Sequence, residues 1–432
     1  MKYKFLYPQF IIFLLLLVCV NYSFGQTNTS PYSMLGIGDI VSKNFDRSSG
    51  MGDAGISLTS YRYIYDENPA SISYLSDRML SMEVSGNFNA VSYKGESLAK
   101  NVNSSQFQVQ RFVMGTKILP IWGLSFGLKQ FSSSNYYFTQ QQFIEGASGS
   151  YINTTHDGTG GINQVFLSNG VRLGKNLSLG ARVSYLFGHM KDEKDLLNNT
   201  IVGTQLNSTV NQYYTHFYFD GGLQYHVNVS PKWQLGLGAI GSLKTTLSGN
   251  TYYSLSQGDG STSLPSQMVD DSIIGTGKFN LPVTYGGGLS LTYDNKLTFA
   301  VDYKQEKWSD VHNSTSGFNY SFKNANQISG GIEYTKRKNE FFRNQIIPFD
   351  KYFYQLGGYY NQEYLVMKGQ QISNAGISLG VGFNSFTSGL GTMFNVQLGT
   401  RGTTKNNLIR GNYFQIGVTI SYQSNWIKYK FQ

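Results

Sequence analysis

Side chains able to do chemistry are few in this 432-residue chain, and they are scattered. The five histidines are His156, His189, His216, His226 and His312, and none forms an HxxxH pair on a helix. His216 and His226 can share a strand face, but ten residues along a strand is ~33 Å, too far for one metal. No GxSxG motif marks a nucleophile. Gly380 to Gly382 reads GxG, yet strand alternation explains it and no helix follows to cradle a phosphate. Cys19 is the only cysteine, and it lies in an N-terminal apolar run, so disulfides and thiol catalysis are excluded from the rest. Neither an enzyme, a cofactor nor a metal site is expected. What remains is a set of charges inside apolar-patterned stretches: Arg172, Arg182, Asp220, Asp302 and Lys304, with Lys428 and Lys430 near the C-terminus.

The elements that carry these charges have a period of two. Leu177, Leu179, Ala181, Val183, Tyr185 and Phe187 form one face, while Ser178, Gly180, Arg182 and Ser184 form the other. Phe217, Phe219, Leu223, Tyr225 and Val227 oppose His216, Asp220, Gln224 and His226; Leu297, Phe299, Val301 and Tyr303 oppose Thr298, Asp302 and Lys304. Strict alternation means strands with one apolar and one polar face. Alternation alone fits a soluble sandwich or an outer-membrane barrel, whose apolar face meets lipid and whose polar face lines the lumen. Fourteen antiparallel strands are expected, over 79–89, 105–117, 121–139, 163–173, 176–189, 213–228, 232–247, 282–293, 296–306, 326–336, 351–360, 373–384, 392–401 and 412–423, the last extending toward 431. Connections alternate between short ones (Gly174-Lys175, Asp294-Asn295) and long ones (140–161, 190–213, 248–280), as in barrels with tight periplasmic turns and long external loops. The stretch 335–350 is long for a periplasmic turn.

Composition favours the barrel. Charged residues are 14%, well below the ~25% of soluble domains, while aromatics reach 15% and there are 49 Gly and 8 Pro. Mean hydropathy is −0.27, and after the N-terminus no apolar run reaches the ~18 residues of a membrane helix. Lys2 and Lys4 precede an apolar stretch from Phe10 to Val20, then Ser23 and Gly25 before Gln26, which is the pattern of a cleaved secretory signal peptide over 1–25. Val18 before Cys19 is not small, against a lipoprotein site. The formal charge of +9 in an exported chain suits anionic lipid head groups better than nucleic acid, which is not an expected partner. Residues 26–77 are glycine-rich with a mixed pattern, and read as an N-terminal extension or a plug inside a barrel formed by 78–432.

Within that extension, Ser48-Ser49-Gly50-Met51-Gly52-Asp53-Ala54-Gly55 followed by Asn68-Pro69-Ala70-Ser71 resembles the plug of the long-chain fatty acid transporter (FadL) family, which is glycine-rich and ends in Asn-Pro-Ala just before strand one. Leu281 to Trp308 is similar to that family's mid-barrel hairpin. The glycine-rich pieces 356–360, 376–382 and 399–402 resemble its last strands. The string SPYSMLGIGD, Ser30 to Asp39, departs from the family pattern and points to a divergent branch. The resemblance implies an all-β transmembrane barrel of about fourteen strands with the plug in the lumen, in the outer membrane. It implies uptake of hydrophobic small molecules such as long-chain fatty acids, with Asn68, Pro69 and Ala70 at the plug and Arg182, Asp220, Asp302 and Lys304 facing the route.

Several readings stay open. The lumen charges either form a cross-strand salt-bridge lattice, the simpler reading, or meet a ligand carboxylate. Arg or Lys on the lipid face would cost roughly 2–4 kcal/mol near the midplane, so they face inward on either reading. Asn-Pro also makes a turn without any gating role. Met34, Leu35, Ile37, Ile40, Val41 and Phe45 either pack the plug on the wall or, with Phe166 and Leu186, line an apolar route. The alternative function is a non-transporting barrel subunit of an outer-membrane secretion or assembly complex, with other envelope proteins as partners; relatives of this barrel family act so in type IX secretion.

Overall fold

The computed structural model describes residues 30–96, 101–143, 151–198, 204–259, 267–311, 313, 320–342 and 345–425. The signal-peptide stretch, Lys428 and Lys430 lie outside the described residues. The alternating stretches form a ring of fourteen antiparallel strands: β1 (Met79–Lys94), β2 (Val102–Leu119), β3 (Trp122–Ser133 and Tyr136–Phe143), β4 (Tyr151–Leu173), β5 (Leu177–Asn198), β6 (Thr204–Ser230) and β7 (Trp233–Ser242 and Thr245–Asp259), then β8 (Gln267–Leu281 and Thr284–Tyr293), β9 (Leu297–Glu306), β10 (Tyr320–Phe322 and Ala325–Phe342), β11 (Gln345–Met367), β12 (Gln370–Asn384), β13 (Leu390–Gly402) and β14 (Arg410–Asn425). Pairing of β14 with β1, from Arg410 opposite Lys94 to Asn425 opposite Met79, closes the ring. Each expected strand corresponds to one of these.

The two faces are sorted inside out relative to a soluble protein. On β5, Leu179, Val183 and Tyr185 are exposed outward, while Ser178, Arg182 and Ser184 are buried within. An outward apolar belt around a polar interior is the surface of a membrane barrel. Among the described residues no helix is long and apolar enough to cross a membrane.

Strand lengths correct the sequence reading. Most of 140–161, 190–213 and 248–280 is strand rather than loop, because β3 to β8 run on past the alternating region. The stretch 335–350 is likewise the ends of β10 and β11. Above a lipid band both strand faces are polar, as in Thr154-Thr155-His156-Asp157, so the period-two hydrophobic signal vanishes although the ladder continues.

The segment Ser30 to Ser76 lies inside the ring. Asp46 caps a 3-10 turn, Arg47–Met51, by accepting from Ser48 N at 2.7 Å, and Gly52 ends it at φ 71°. Asn68 caps a second, Pro69–Tyr74, with Pro69 at its first position, where its fixed φ and missing N–H are tolerated. This second turn rests on Gly170, Gly180 and Gly222, three glycines side by side on β4, β5 and β6. A Cβ at Gly180 would fall 2.2 Å from Ala70 N, and one at Gly222 would fall 2.0 Å from Asn68 Oδ1.

The unplaced string Ser30 to Asp39 has a definite seat. Away from its tight turn, the β2–β3 ladder stops at Arg111 opposite Lys129. β3 is itself interrupted at Ser134 and Asn135, and the plug adds a two-residue strand there, Asp39 opposite Ser133 and Ile40 opposite Ser132. Asn135 O accepts from Ser30 N at 3.0 Å and Ser33 Oγ at 2.8 Å, and Ser134 Oγ donates to Ser33 O at 3.1 Å. A Cβ at Gly38 would fall 2.4 Å from Ser133 O.

Gly180→Val is expected to leave the barrel closed while lifting Asn68 to Ala70 off its floor. The check is limited proteolysis: new cleavage within 60–76, with the heat-dependent gel mobility of a folded barrel retained.

Candidate functional site

The lumen is organised by plug-to-wall contacts, and every one of the fourteen strands bonds the plug. Three arginines dominate. Arg47, on the plug, donates Nε to Glu333 Oε2 at 3.0 Å and Nη1 to Asp350 Oδ2 at 2.8 Å, while its guanidinium lies 4.2 Å from the Phe353 ring centre. Arg111, on β2, reaches the plug: Nε to Asp66 Oδ2 at 2.6 Å and Nη2 to Ile64 O at 2.7 Å, with Nη1 on Glu83 Oε2 at 2.7 Å. Arg401, on β13, holds both oxygens of Asp39 at 2.7 Å and both of Glu363 at 2.8 Å. Arg–carboxylate forks of this kind fix direction as well as distance.

The expected site residues take their places in the same scheme. Arg182 faces Asp220 directly across the β5–β6 ladder, with Nε to Oδ2 at 2.9 Å and Nη2 to Oδ1 at 2.7 Å, and its Nη1 donates to Asp66 O at 2.7 Å. Lys304 Nζ meets Glu67 Oε1 at 3.1 Å. Asp302 Oδ2 accepts from Gly55 N at 2.6 Å and Ile56 N at 2.8 Å. Asn68 Nδ2 donates to Ile56 O at 2.9 Å and Leu223 O at 3.1 Å, so Asn68 and Asp302 clamp the two sides of one plug residue.

The inward direction of these charges is as expected, but the cross-strand lattice is not. Of the expected charges only Arg182 and Asp220 pair strand to strand; Lys304, Asp302 and Arg172, which donates to Ser73 O at 3.0 Å, are spent on the plug. Bonding to carbonyls and N–H groups of a chain with no period of its own leaves no pairing pattern in the sequence. Arg47, Arg111, Arg401, Asp66 and Glu67 escape alternation for related reasons. Four lie on the plug or near strand ends, and Arg111 follows a bulge that turns it and Gln110 inward together.

Arg182, Asp220 and Lys304 line one cavity of about 140 Å³ beside plug residues Ile40 to Asn44, with Phe131, Tyr218 and Trp308 on its apolar side. Above it, Ile37 packs with Leu186, Phe279 and Trp308. Leu35 packs with Tyr32, Leu365 and Ile372. Phe166 packs with Ile64 and Leu75. These apolar residues are wall packing. A separate cavity of about 200 Å³ lies beside the Arg47–Met51 turn, lined also by Ser57 to Tyr61. The turn closes the lumen tightly there: a Cβ at Gly52 would fall 2.3 Å from Gly358 O, and one at Gly357 2.2 Å from Met51 C.

His226 spends both of its ring nitrogens on the plug. Ser57 O at 2.9 Å can only accept, so Nε2 carries the proton and Nδ1 accepts from Tyr74 OH at 3.2 Å. No cluster of potential metal ligands occurs among the described residues.

A family model described as BamG matches residues 7–432. The chain belongs to the BamG family. A search of curated proteins finds no match. Solved structures share the fold: a Pseudomonas aeruginosa FadL homologue (12% identity, 91% of this chain and 100% of that one, TM-score 0.59), the Pseudomonas putida toluene transporter TodX (16%, 90% and 100%, 0.57) and the Ralstonia pickettii toluene transporter TbuX (14%, 88% and 100%, 0.51). The expected likeness to the fatty acid transporters is thus one of fold, and the sequence family is BamG.

Arg111→Met strands two buried carboxylates, Asp66 and Glu83, and should lower stability by about 3–5 kcal/mol, read as a shifted urea midpoint. In the wild type burial would raise the Asp66 carboxyl, but Arg111, Lys129 and Arg182 outweigh it and hold it below the ordinary range. Its stabilisation is therefore present above the unfolded carboxyl pKa and lost as pH falls through the lower folded value. Without Arg111 the buried carboxyl favours its neutral form, so the deficit of the variant should be largest near neutral pH and shrink toward pH 5.

Proposed function

We propose that this chain is a sealed outer-membrane barrel that serves as a subunit of an envelope protein-assembly complex rather than as an open conduit. The observation that carries this reading is the plug bonded to all fourteen strands, with the expected lumen charges held by internal partners. A carboxylate ligand at Arg182 or Lys304 would have to displace Asp220 or Glu67, which leaves Lys129 as a cation of their shared cavity that has no carboxylate of its own among the described residues. The BamG family match adds support, since it points toward envelope assembly.

A second reading, uptake of hydrophobic molecules, is favoured by one cavity. It has aromatic residues on one side and Arg182 and Lys304 on the other, as an amphipathic ligand would need. Against it, about 140 Å³ is small beside the ~300–1,000 Å³ of ligand pockets.

The test is native mass spectrometry of the full chain extracted gently from its own membrane, paired with uptake of toluene and oleate by cells lacking it. A stoichiometric complex with other envelope proteins and unchanged uptake is expected. A monomer carrying an apolar molecule, with uptake lost in the deletion, would overturn the subunit reading in favour of transport.

A further inference from the structure

The external half of the lumen holds a second chamber, of about 200 Å³, beside the point where the β2–β3 ladder stops. This is far more than the ~10–15 Å³ a single water requires and below the ~300–1,000 Å³ of pockets that enclose a whole ligand, so it takes one sugar ring rather than a chain. Its wall carries a row of amides beside four charged groups, Asp39, Lys43, Glu363 and Arg401, whose charges sum to zero. Gln106, Gln108 and Gln110 follow one another up the inner face of β2: Gln106 Nε2 donates to Gln108 Oε1 at 2.8 Å, and Gln110 Nε2 donates to the same oxygen at 3.0 Å and to Asn87 Oδ1 at 2.9 Å. Tyr93 and Tyr413 also line it, with Lys43 Nζ 4.9 Å from the Tyr413 ring centre. The one guanidinium present, Arg401, is neutralised by Asp39 and Glu363.

Three polar atoms in this wall have no partner: Asn89 Oδ1, Gln110 Oε1 and Gln415 Nε2. Gln110 and Gln415 are both more than nine-tenths buried. Their assignment is chemical. Gln415 Oε1 accepts from Lys43 Nζ at 2.6 Å, so its free atom is the donor. Gln110 meets two other amides, Gln108 and Asn87, through one atom of its own amide, so its other atom is unspent. Buried groups of this kind are ordinarily satisfied. The chamber thus offers unspent donors and acceptors together, without net charge, beside aromatic rings.

We propose that this chamber binds an uncharged saccharide. A hydroxyl both donates and accepts, as the wall requires, and the C–H faces of a sugar ring pack on tyrosine. An apolar ligand would leave the amides unpaired, at ~1–3 kcal/mol each, and an anion would have to draw Lys43 away from the oxygens of Gln397 and Gln415 that it already meets. The saccharide has two possible sources: the end ring of a free oligosaccharide entering from the external side, or the head group of an outer-leaflet glycolipid reaching in where β2 and β3 part. Phe107 and Val109, the outward neighbours of the amide ladder, are 69% and 63% exposed at that seam.

The experiment is saturation-transfer NMR on the full chain in nanodiscs. One arm uses free maltotriose and chitotriose; the other uses nanodiscs containing lipopolysaccharide from the source membrane; uncharged tripeptides serve as competitors. Transfer to sugar protons in the first arm assigns a free saccharide, and transfer confined to the second assigns a glycolipid. Gln110→Leu with Gln415→Leu should weaken binding by at least about tenfold, the loss of one or two hydrogen bonds, with gel mobility unchanged. Asn89→Leu tests the same wall if that pair fails to fold. No sugar signal in either arm, equal signals in all variants, or signal from the tripeptides alone would overturn the proposal.

Discussion

Fourteen strands enclose more space than their own inward side chains fill. Eight-stranded barrels pack themselves, and sixteen to eighteen strands leave an aqueous channel. At fourteen the lumen needs a filler, and here the chain supplies it from its own N-terminus. Most other features follow from fitting an irregular segment inside a regular wall. The wall must be glycine where plug backbone touches it, as at Gly170, Gly180 and Gly222, and it must present polar side chains to meet carbonyls and N–H groups that no ladder satisfies. Gln224 Nε2, donating to Ile56 O at 2.9 Å, and Ser378, bridging Gly50 O and Gly52 N, are examples.

The buried arginines have a different role. An ion pair withdrawn from water adds little net stability over a well-packed apolar filling. What Arg47, Arg111 and Arg401 add is position. Each joins a carboxylate of the plug to the wall, or the reverse, at a different height of the barrel, and each is ruinous to misplace because a lone buried charge is so unfavourable. An apolar plug would slide or rotate at little cost; this one has a single setting. That argues against a filler that moves aside for each passing molecule.

How much of this is legible from sequence depends on periodicity. Every strand was readable where one face met lipid, as at Leu179, Val183 and Tyr185 against Arg182 and Ser184. Above the lipid band the signal disappeared while the strands continued, so residues such as His156 and Asp192 read as loop. The inward direction of Arg182, Asp302 and Lys304 was readable, but their partners were not, because those partners sit on a segment with no repeat. Asn-Pro at Asn68 marks one of the two turns within the plug, while the turn that Asp46 caps came to light only in the structure. Arg111 was hidden by a bulge at Gln110 that no alternation rule anticipates.

The plug also divides the lumen unequally. Its lower layer, from Asp46 to Ser57, is wholly buried and presses backbone against backbone at Gly357 and Gly380. Its upper strap, from Asp39 to Asn44, is partly exposed and is bordered by cavities. Packing is therefore densest around the Arg47–Met51 turn and looser on both sides of it, at the strap and beside Ser57 to Tyr61. A conduit would need its weakest layer in line with both openings. The looser layer around the strap borders the edge where β2 parts from β3, which suits a surface that receives a ligand without passing it on.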